Sequence, residues 1–107
     1  MNVIYTKNEY NSISTFVDGI AVVMVYDERH GKKFGLINTD FEDVLNCNFD
    51  SITRLSNNLY SVKREGKYGI FDTDLEKIVV KCEFNGISYE KNKVDSNNYS
   101  ESIVIEL

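Results

Sequence analysis

"KFGLINTDFEDVLNCNFDSI", Lys33 to Ile52, is answered within the same short chain by "KYGIFDTDLEKIVVKCEFNGI", Lys67 to Ile87. Self-similarity at a fixed period is a statement about architecture, because each copy is one supersecondary unit. The tetrapeptide that closes each stretch occurs three times: Tyr10-Asn11-Ser12-Ile13, Phe49-Asp50-Ser51-Ile52 and Phe84-Asn85-Gly86-Ile87. Each is an aromatic, a turn former, a small residue and an isoleucine. The spacing is 39 residues between the first two copies and 35 between the second and third, because the loop "YDERHGKK" shrinks to "REGK". Asn97-Asn98 echoes Asn57-Asn58, so "NNYSESIVIEL" reads as the opening strand of a third, truncated unit. The expectation is a single domain over 1–107 holding about two and a half units, at roughly 10–48, 49–83 and 84–107.

The signals within a unit are those of strands. Ile20 to Tyr26, "IAVVMVY", is a β-branched apolar run; Phe34 to Ile37 and Val44-Leu45 follow, separated by Gly, Asn and Asp clusters. Tyr60 to Arg64, Tyr68 to Phe71 and Ile78 to Val80 repeat that order. No stretch sustains helical periodicity, although the Phe-Asp-Ser-Ile corner is compatible with a single helical turn. Short connections require successive strands to pair antiparallel, so the predicted fold class is all-β, an antiparallel meander. One such unit cannot bury its own apolar face, and the next unit supplies cover. The expected core is Ile20, Val22, Leu36, Ile37, Ile52, Val62, Ile70, Ile78 and Val80.

Composition sets the outer limits. The chain has 107 residues, 42% hydrophobic and 27% charged, which makes it globular, and no apolar run is long enough to cross a bilayer. "MNVIYTKNEY" lacks the basic segment and long apolar stretch of a secretory signal, so a cytoplasmic location is expected. Cys47 and Cys82 fall at equivalent positions of two units and read as small buried thiols that stay reduced. A net charge of −5 argues against broad non-specific attraction to nucleic acid and leaves a basic or neutral protein surface as the easier partner, so neither direct nucleic-acid binding nor a membrane is expected.

On these residues the chain resembles the WG-repeat family of bacteria, whose units carry an aromatic-Gly pair, an Ile-Asn/Asp strand end, a turn and an aromatic-Asp-x-Ile corner. The resemblance covers about residues 10 to 90. Phe34 and Tyr68 stand where the family has its signature tryptophan, Phe41 and Leu75 stand where its turn glycine usually follows Asp40 and Asp74, and the proline before the corner is absent. The resemblance implies a non-enzymatic β-repeat scaffold used for interaction. It brings no catalytic residues, cofactor or metal.

The glycines of the aromatic-Gly pairs, Gly35 and Gly69, have a physical reading of their own: each removes a side chain so that a neighbouring ring or backbone can approach. The search for chemistry returns little. His30 sits alone at a loop tip between Arg29 and Gly31, with no nucleophile or positioned carboxylate in the pattern. Asn38-Thr39-Asp40 and Asp72-Thr73-Asp74 lack the glycine and distal glutamate of a calcium loop, and read as hairpin turns whose Asn and Asp bond their own backbone. Neither cysteine has zinc spacing to another ligand. The chain is therefore expected to be no enzyme, with no cofactor and no metal.

A charge pattern remains. The first turn of each unit is basic, with Arg29, Lys32 and Lys33 in one copy and Lys63, Arg64 and Lys67 in the other. The second is acidic, with Asp40, Glu42 and Asp43, then Asp74 and Glu76. Alternate turns of a meander emerge at opposite ends of the strands, so the two signs separate. Phe41 and Leu75 are large apolar residues inside the acidic turns; each either folds back onto the sheet or is an exposed anchor. The favoured expectation is a protein-binding module that docks Asp40, Phe41, Glu42, Asp43, Asp74, Leu75 and Glu76 on a basic surface, such as the nucleic-acid channel of a nuclease, and inhibits by occupancy. In size and type the chain resembles small inhibitors that phages and mobile elements carry against defence nucleases, anti-CRISPR proteins among them. The alternatives are an RNA or phosphate binder using the basic turns, and a self-associating repeat protein joined through the C-terminal strand "SIVIEL".

Overall fold

The computed structural model describes residues 10–107, and among these it contains ten strands and no helix. They are β1 (Ser12–Ile13), β2 (Ile20–Asp27), β3 (Gly31–Asn38), β4 (Asp43–Phe49), β5 (Ser51–Arg54), β6 (Leu59–Arg64), β7 (Lys67–Asp72), β8 (Lys77–Phe84), β9 (Gly86–Lys93) and β10 (Tyr99–Glu106). Three antiparallel sheets result, ordered β1-β2-β3-β4, β5-β6-β7-β8 and β10-β9. The chain is all-β and carries two and a half repeats, each opening on a corner strand. The chain divides into two compact units, Met1–Ile52 and Thr53–Leu107, and β5 straddles the division. The segment behind the cytoplasmic expectation lies almost wholly outside the described residues. No helix among the described residues is long and apolar enough to cross a membrane.

The corner is not helical. β4 ends at Phe49 and β5 begins at Ser51; β8 ends at Phe84 and β9 begins at Gly86. One residue, Asp50 or Asn85, carries the chain from one sheet into the next. A single residue bends a strand without reversing it, so the meander runs within each sheet and stops at each corner. Both corners are tied back to the middle hairpin of their own unit, Lys33 Nζ donating to Asp50 Oδ1 at 2.5 Å and Lys67 Nζ to Asn85 Oδ1 at 2.7 Å.

The reason for the aromatic-Gly pair lies in the third strand pairing. In the first unit Phe34 pairs with Phe49 and Leu36 with Leu45, so Gly35 alone faces Asn46, Cys47 and Asn48. In the second, Tyr68 pairs with Phe84 and Ile70 with Val80, so Gly69 alone faces Lys81, Cys82 and Glu83. The surplus residues bulge toward the glycine. A Cβ on Gly35 would lie 2.4 Å from the Leu45 carbonyl oxygen, and one on Gly69 would lie 2.3 Å from that of Val80. Of the two possible approachers, ring or backbone, it is the backbone of the neighbouring strand that comes close.

The first unit buries Ala21, Val23, Leu36, Ile37 and Phe49, with Tyr10, Phe16 and Cys47 half-buried against Ala21, Val23 and Ile37. The second buries Leu55, Tyr60, Val62, Ile70 and Phe71. Leu36, Ile37, Val62 and Ile70 are core residues as expected, whereas Ile20, Val22, Ile52, Ile78 and Val80 are only half-buried. In β2 the inward phase belongs to Ala21 and Val23, because Val23 is the residue opposite Gly35. Ile52, Ile78 and Val80 sit on the edge strands β5 and β8, which have a neighbour on one side only within their sheet.

Because the obstructing atoms at both glycines are backbone, relief requires the bulge to move. Gly35→Ala and Gly69→Ala are each expected to cost about 3 kcal/mol, the upper part of the range for overpacking. Urea unfolding of the two variants measures this, and a loss below about 1 kcal/mol at both positions would remove the steric account.

Candidate functional site

The acidic turn of the first unit is organised by Asn38. Its Oδ1 accepts the backbone N–H of Asp40 at 2.9 Å and of Glu42 at 3.0 Å, while its Nδ2 donates to Glu42 Oε1 at 3.0 Å. Backbone bonds from Phe41 N–H to the Asn38 carbonyl and from Asn38 N–H to the Glu42 carbonyl close the loop. Phe41 takes φ +63°, a left-handed conformation that favours glycine. Its ring lies 6.0 Å from that of Phe16 at a tilt of 59°, yet the residue stays 48% exposed. Both alternatives for Phe41 thus hold in part: the ring meets an aromatic of its own unit, and about half of the residue stays exposed. Asp43 accepts a hydrogen bond from the Tyr10 hydroxyl at 2.9 Å. Burial first and then this carboxylate push the Tyr10 hydroxyl well above its ordinary range, so it remains a donor.

Asp72 plays Asn38's part in the second unit. Its Oδ1 accepts the N–H of Asp74 at 2.8 Å and of Leu75 at 3.1 Å, and Asn58 Nδ2 donates to the same oxygen at 3.0 Å. The Asn58 bond first, then the two backbone donors and the Lys77 charge, hold the Asp72 carboxyl below its ordinary range. Here the left-handed residue is Glu76, φ +54°, one place later than in the first turn. Leu75 is 59% exposed and points a large apolar side chain out of the turn. Among the described residues no ion pair or hydrogen bond engages the carboxylates of Asp40, Asp74 or Glu76. The two turns fall in different units, with Asp40, Phe41, Glu42 and Asp43 in the first and Asp74, Leu75 and Glu76 in the second.

At the opposite strand ends the basic turns are already employed. Lys33 and Lys67 hold the corners, and Lys63 Nζ lies 5.3 Å from the centre of the Tyr68 ring. Arg29, Lys32 and Arg64 are exposed. Asp27 shares the first of these tips: its Oδ1 accepts the N–H groups of Arg29 and His30 at 2.7 and 3.0 Å, and it reaches the His30 ring at 3.4 Å. Those backbone donors, His30's first, lower the Asp27 carboxyl.

Both thiols are free and half-buried at the centre of their bulges. Burial raises the pKa of each; the Asp43 charge adds to the rise at Cys47, and Arg64 partly opposes it at Cys82. A raised thiol pKa leaves little thiolate and makes a poor nucleophile. No group of three or more His, Cys, Asp or Glu among the described residues is arranged to hold a metal ion. The spacing of the Asn/Asp-Thr-Asp motifs gave away the turns; the residues that sequence reasoning missed are their supports Tyr10, Phe16 and Asn58. Their partners are 33, 25 and 14 positions away in the chain, and only the echo of Asn57-Asn58 in Asn97-Asn98 draws attention to one of them.

Residues 34–68 match the family model of the WG containing repeat. The matched stretch runs from one aromatic-Gly pair to the next, one full period, and supports the WG-repeat reading. No curated protein and no solved structure matches the chain.

Two measurements follow from the site's titratable groups. Asp72 has its folded pKa below the ordinary value of 3.8, so its stabilising contribution is present above that value and is lost as pH falls through the folded one. Asp72→Asn, which imitates Asn38, should retain the fold and lose less stability than the parent on acidification; an identical acid limb in thermal melts would contradict the assignment. For the thiols, iodoacetamide should label Cys47 and Cys82 slowly in the native protein and rapidly in urea, and equal rates would show that burial does not protect them.

Proposed function

We propose that the protein is a non-enzymatic binding module that docks its acidic turns on a basic protein surface and acts by occupying it. The observation that carries this reading is the makeup of the turns: an outward-facing phenylalanine or leucine, ringed by carboxylates and held by side-chain-to-backbone hydrogen bonds. An apolar anchor with a charged rim is how interfaces divide affinity from steering. Turn organisation by Asn38 and Asp72 reduces the ordering cost that a loose loop would incur on binding. A channel that normally holds nucleic acid is a basic surface of the right kind, which makes a nuclease, including a CRISPR effector, the partner class of choice and gives the chain the character of an inhibitor. The reading with nucleic acid as ligand is weaker, since Lys33, Lys63 and Lys67 already serve their own units.

Affinity capture of the tagged chain from its native cell, followed by mass spectrometry, identifies the partner. Against that partner, Leu75→Ala should raise the Kd by about 30-fold, the equivalent of ~2 kcal/mol at an anchor, with the melting temperature unchanged. Phe41→Ala should weaken binding similarly and lower stability slightly through the lost Phe16 contact. Asp43→Asn should have a small effect, because Asp43 serves Tyr10. Unchanged binding by both alanine variants, with loss on Lys32→Glu or Arg64→Glu, would overturn the proposal in favour of the basic turns.

A further inference from the structure

Among the equivalent positions at which the two complete units differ in chemistry, two border one cleft of the second unit. The hairpins superpose in register on the glycine, Val23 opposite Gly35 and Val62 opposite Gly69. One place before those valines stand Val22 in the first unit and Ser61 in the second, and beside the glycines stand Phe34 and Tyr68. Each time the second unit has added a hydroxyl to a position that the first fills with carbon.

Ser61 is 5% exposed, the one buried polar residue of the described chain, and no described residue hydrogen-bonds its side chain. A buried hydroxyl left unpaired is costly, and Val22 shows that the repeat accepts an apolar residue there. Ser61 lines a cleft of about 660 Å³ with Arg54, Tyr68, Asn85, Tyr89 and Glu106, all within the second unit. The volume is that of a small-molecule site.

The lining groups are held in place by their own partners. Asn85 accepts from Lys67 and donates to the Leu107 carbonyl at 2.6 Å. Arg54 Nη2 donates to the Asn57 carbonyl at 3.3 Å, and the Tyr89 hydroxyl bonds Glu101. The Glu106 carboxylate lies 2.7 Å from where a Cβ on Gly86 would stand, so the absence of that side chain is what lets it rest over the corner. The lining has one guanidinium and one carboxylate, which cancel, together with hydroxyls, an amide and two tyrosine rings. A neutral molecule with many hydroxyls and an apolar C–H face finds both donors and rings on such a wall, while the ammonium groups of Lys63 and Lys67 are taken up by Tyr68 and Asn85.

We propose that the cleft of the second unit, centred on Ser61 and Tyr68, is a binding site for a neutral saccharide, separate from the acidic turns. The test is a titration of the ¹⁵N-labelled full chain, followed by heteronuclear NMR, with maltose, cellobiose and N,N′-diacetylchitobiose, and in parallel with inorganic phosphate and triglycine. At least one disaccharide should shift the amides of Ser61, Tyr68 and Tyr89 saturably, and phosphate and triglycine should not. Ser61→Val and Tyr68→Phe, which restore the residues of the first unit, should each weaken that response by about tenfold while the melting temperature holds or rises. Should Ser61→Val fail to fold, Tyr68→Phe carries the same test. No response to any of the three sugars, an undiminished response in a folded variant, or saturable shifts of the same amides by phosphate or triglycine in their place would overturn the proposal.

Discussion

Everything distinctive in this fold depends on two strand backbones coming closer together than a side chain permits. At Gly35 and Gly69 a carbonyl of the next strand occupies the volume of a Cβ, and three residues crowd opposite one. That crowding twists the edge strand and brings Phe49 and Phe84 back into register with Phe34 and Tyr68. It also places each corner within reach of the lysine that precedes its aromatic. Without the bulge the strand after the acidic turn would run on flat, and the chain would have no reason to leave the sheet at Asp50 or Asn85.

The same constraint divides labour between the ends of each unit. The end that holds the corner uses Lys33 and Lys67 internally, on Asp50 and Asn85, so that part of its basic charge is structural. The other end is closed by Asn38 or Asp72 through bonds to the loop's own backbone, which leaves the acidic side chains beyond them turned outward. Neutral asparagine and charged aspartate perform one geometric task, since each needs only an oxygen aimed at two N–H groups. The aspartate adds its own acid-sensitive charge to this task, which the asparagine does not.

The order of the three longer strands in each unit and their antiparallel meander are legible in the sequence because a repeat states its connections twice; the corner strands β1, β5 and β9 are not, so "NNYSESIVIEL" forms the second strand of the third unit rather than its opening one. The phase of β2 was not legible: "IAVVMVY" is apolar without alternation, and which residues turn inward is decided by the glycine across the sheet. The one-residue corner is ambiguous in the sequence because its composition, aromatic then Asp or Asn then a small residue, suits a strand bend and a single helical turn alike. Phe41 was correctly singled out as anomalous, but Phe16 was out of view until the chain folded, and a left-handed φ at a phenylalanine is invisible to composition. Ser61 was hidden by similarity itself, since a repeat directs attention to what its copies share.

The two hairpins that pair β2 with β3 and β6 with β7 keep one register around their glycines although their tips differ in length. Glu28, Arg29 and His30 lie beyond the last pair, Asp27 with Gly31, and lengthening a loop there adds little closure entropy. The repeat therefore treats that tip as a free parameter, so the fold has a natural port for grafted sequence: a peptide spliced between Glu28 and Gly31 would be displayed from a rigid stem whose bulge, corner and turn need not register the change.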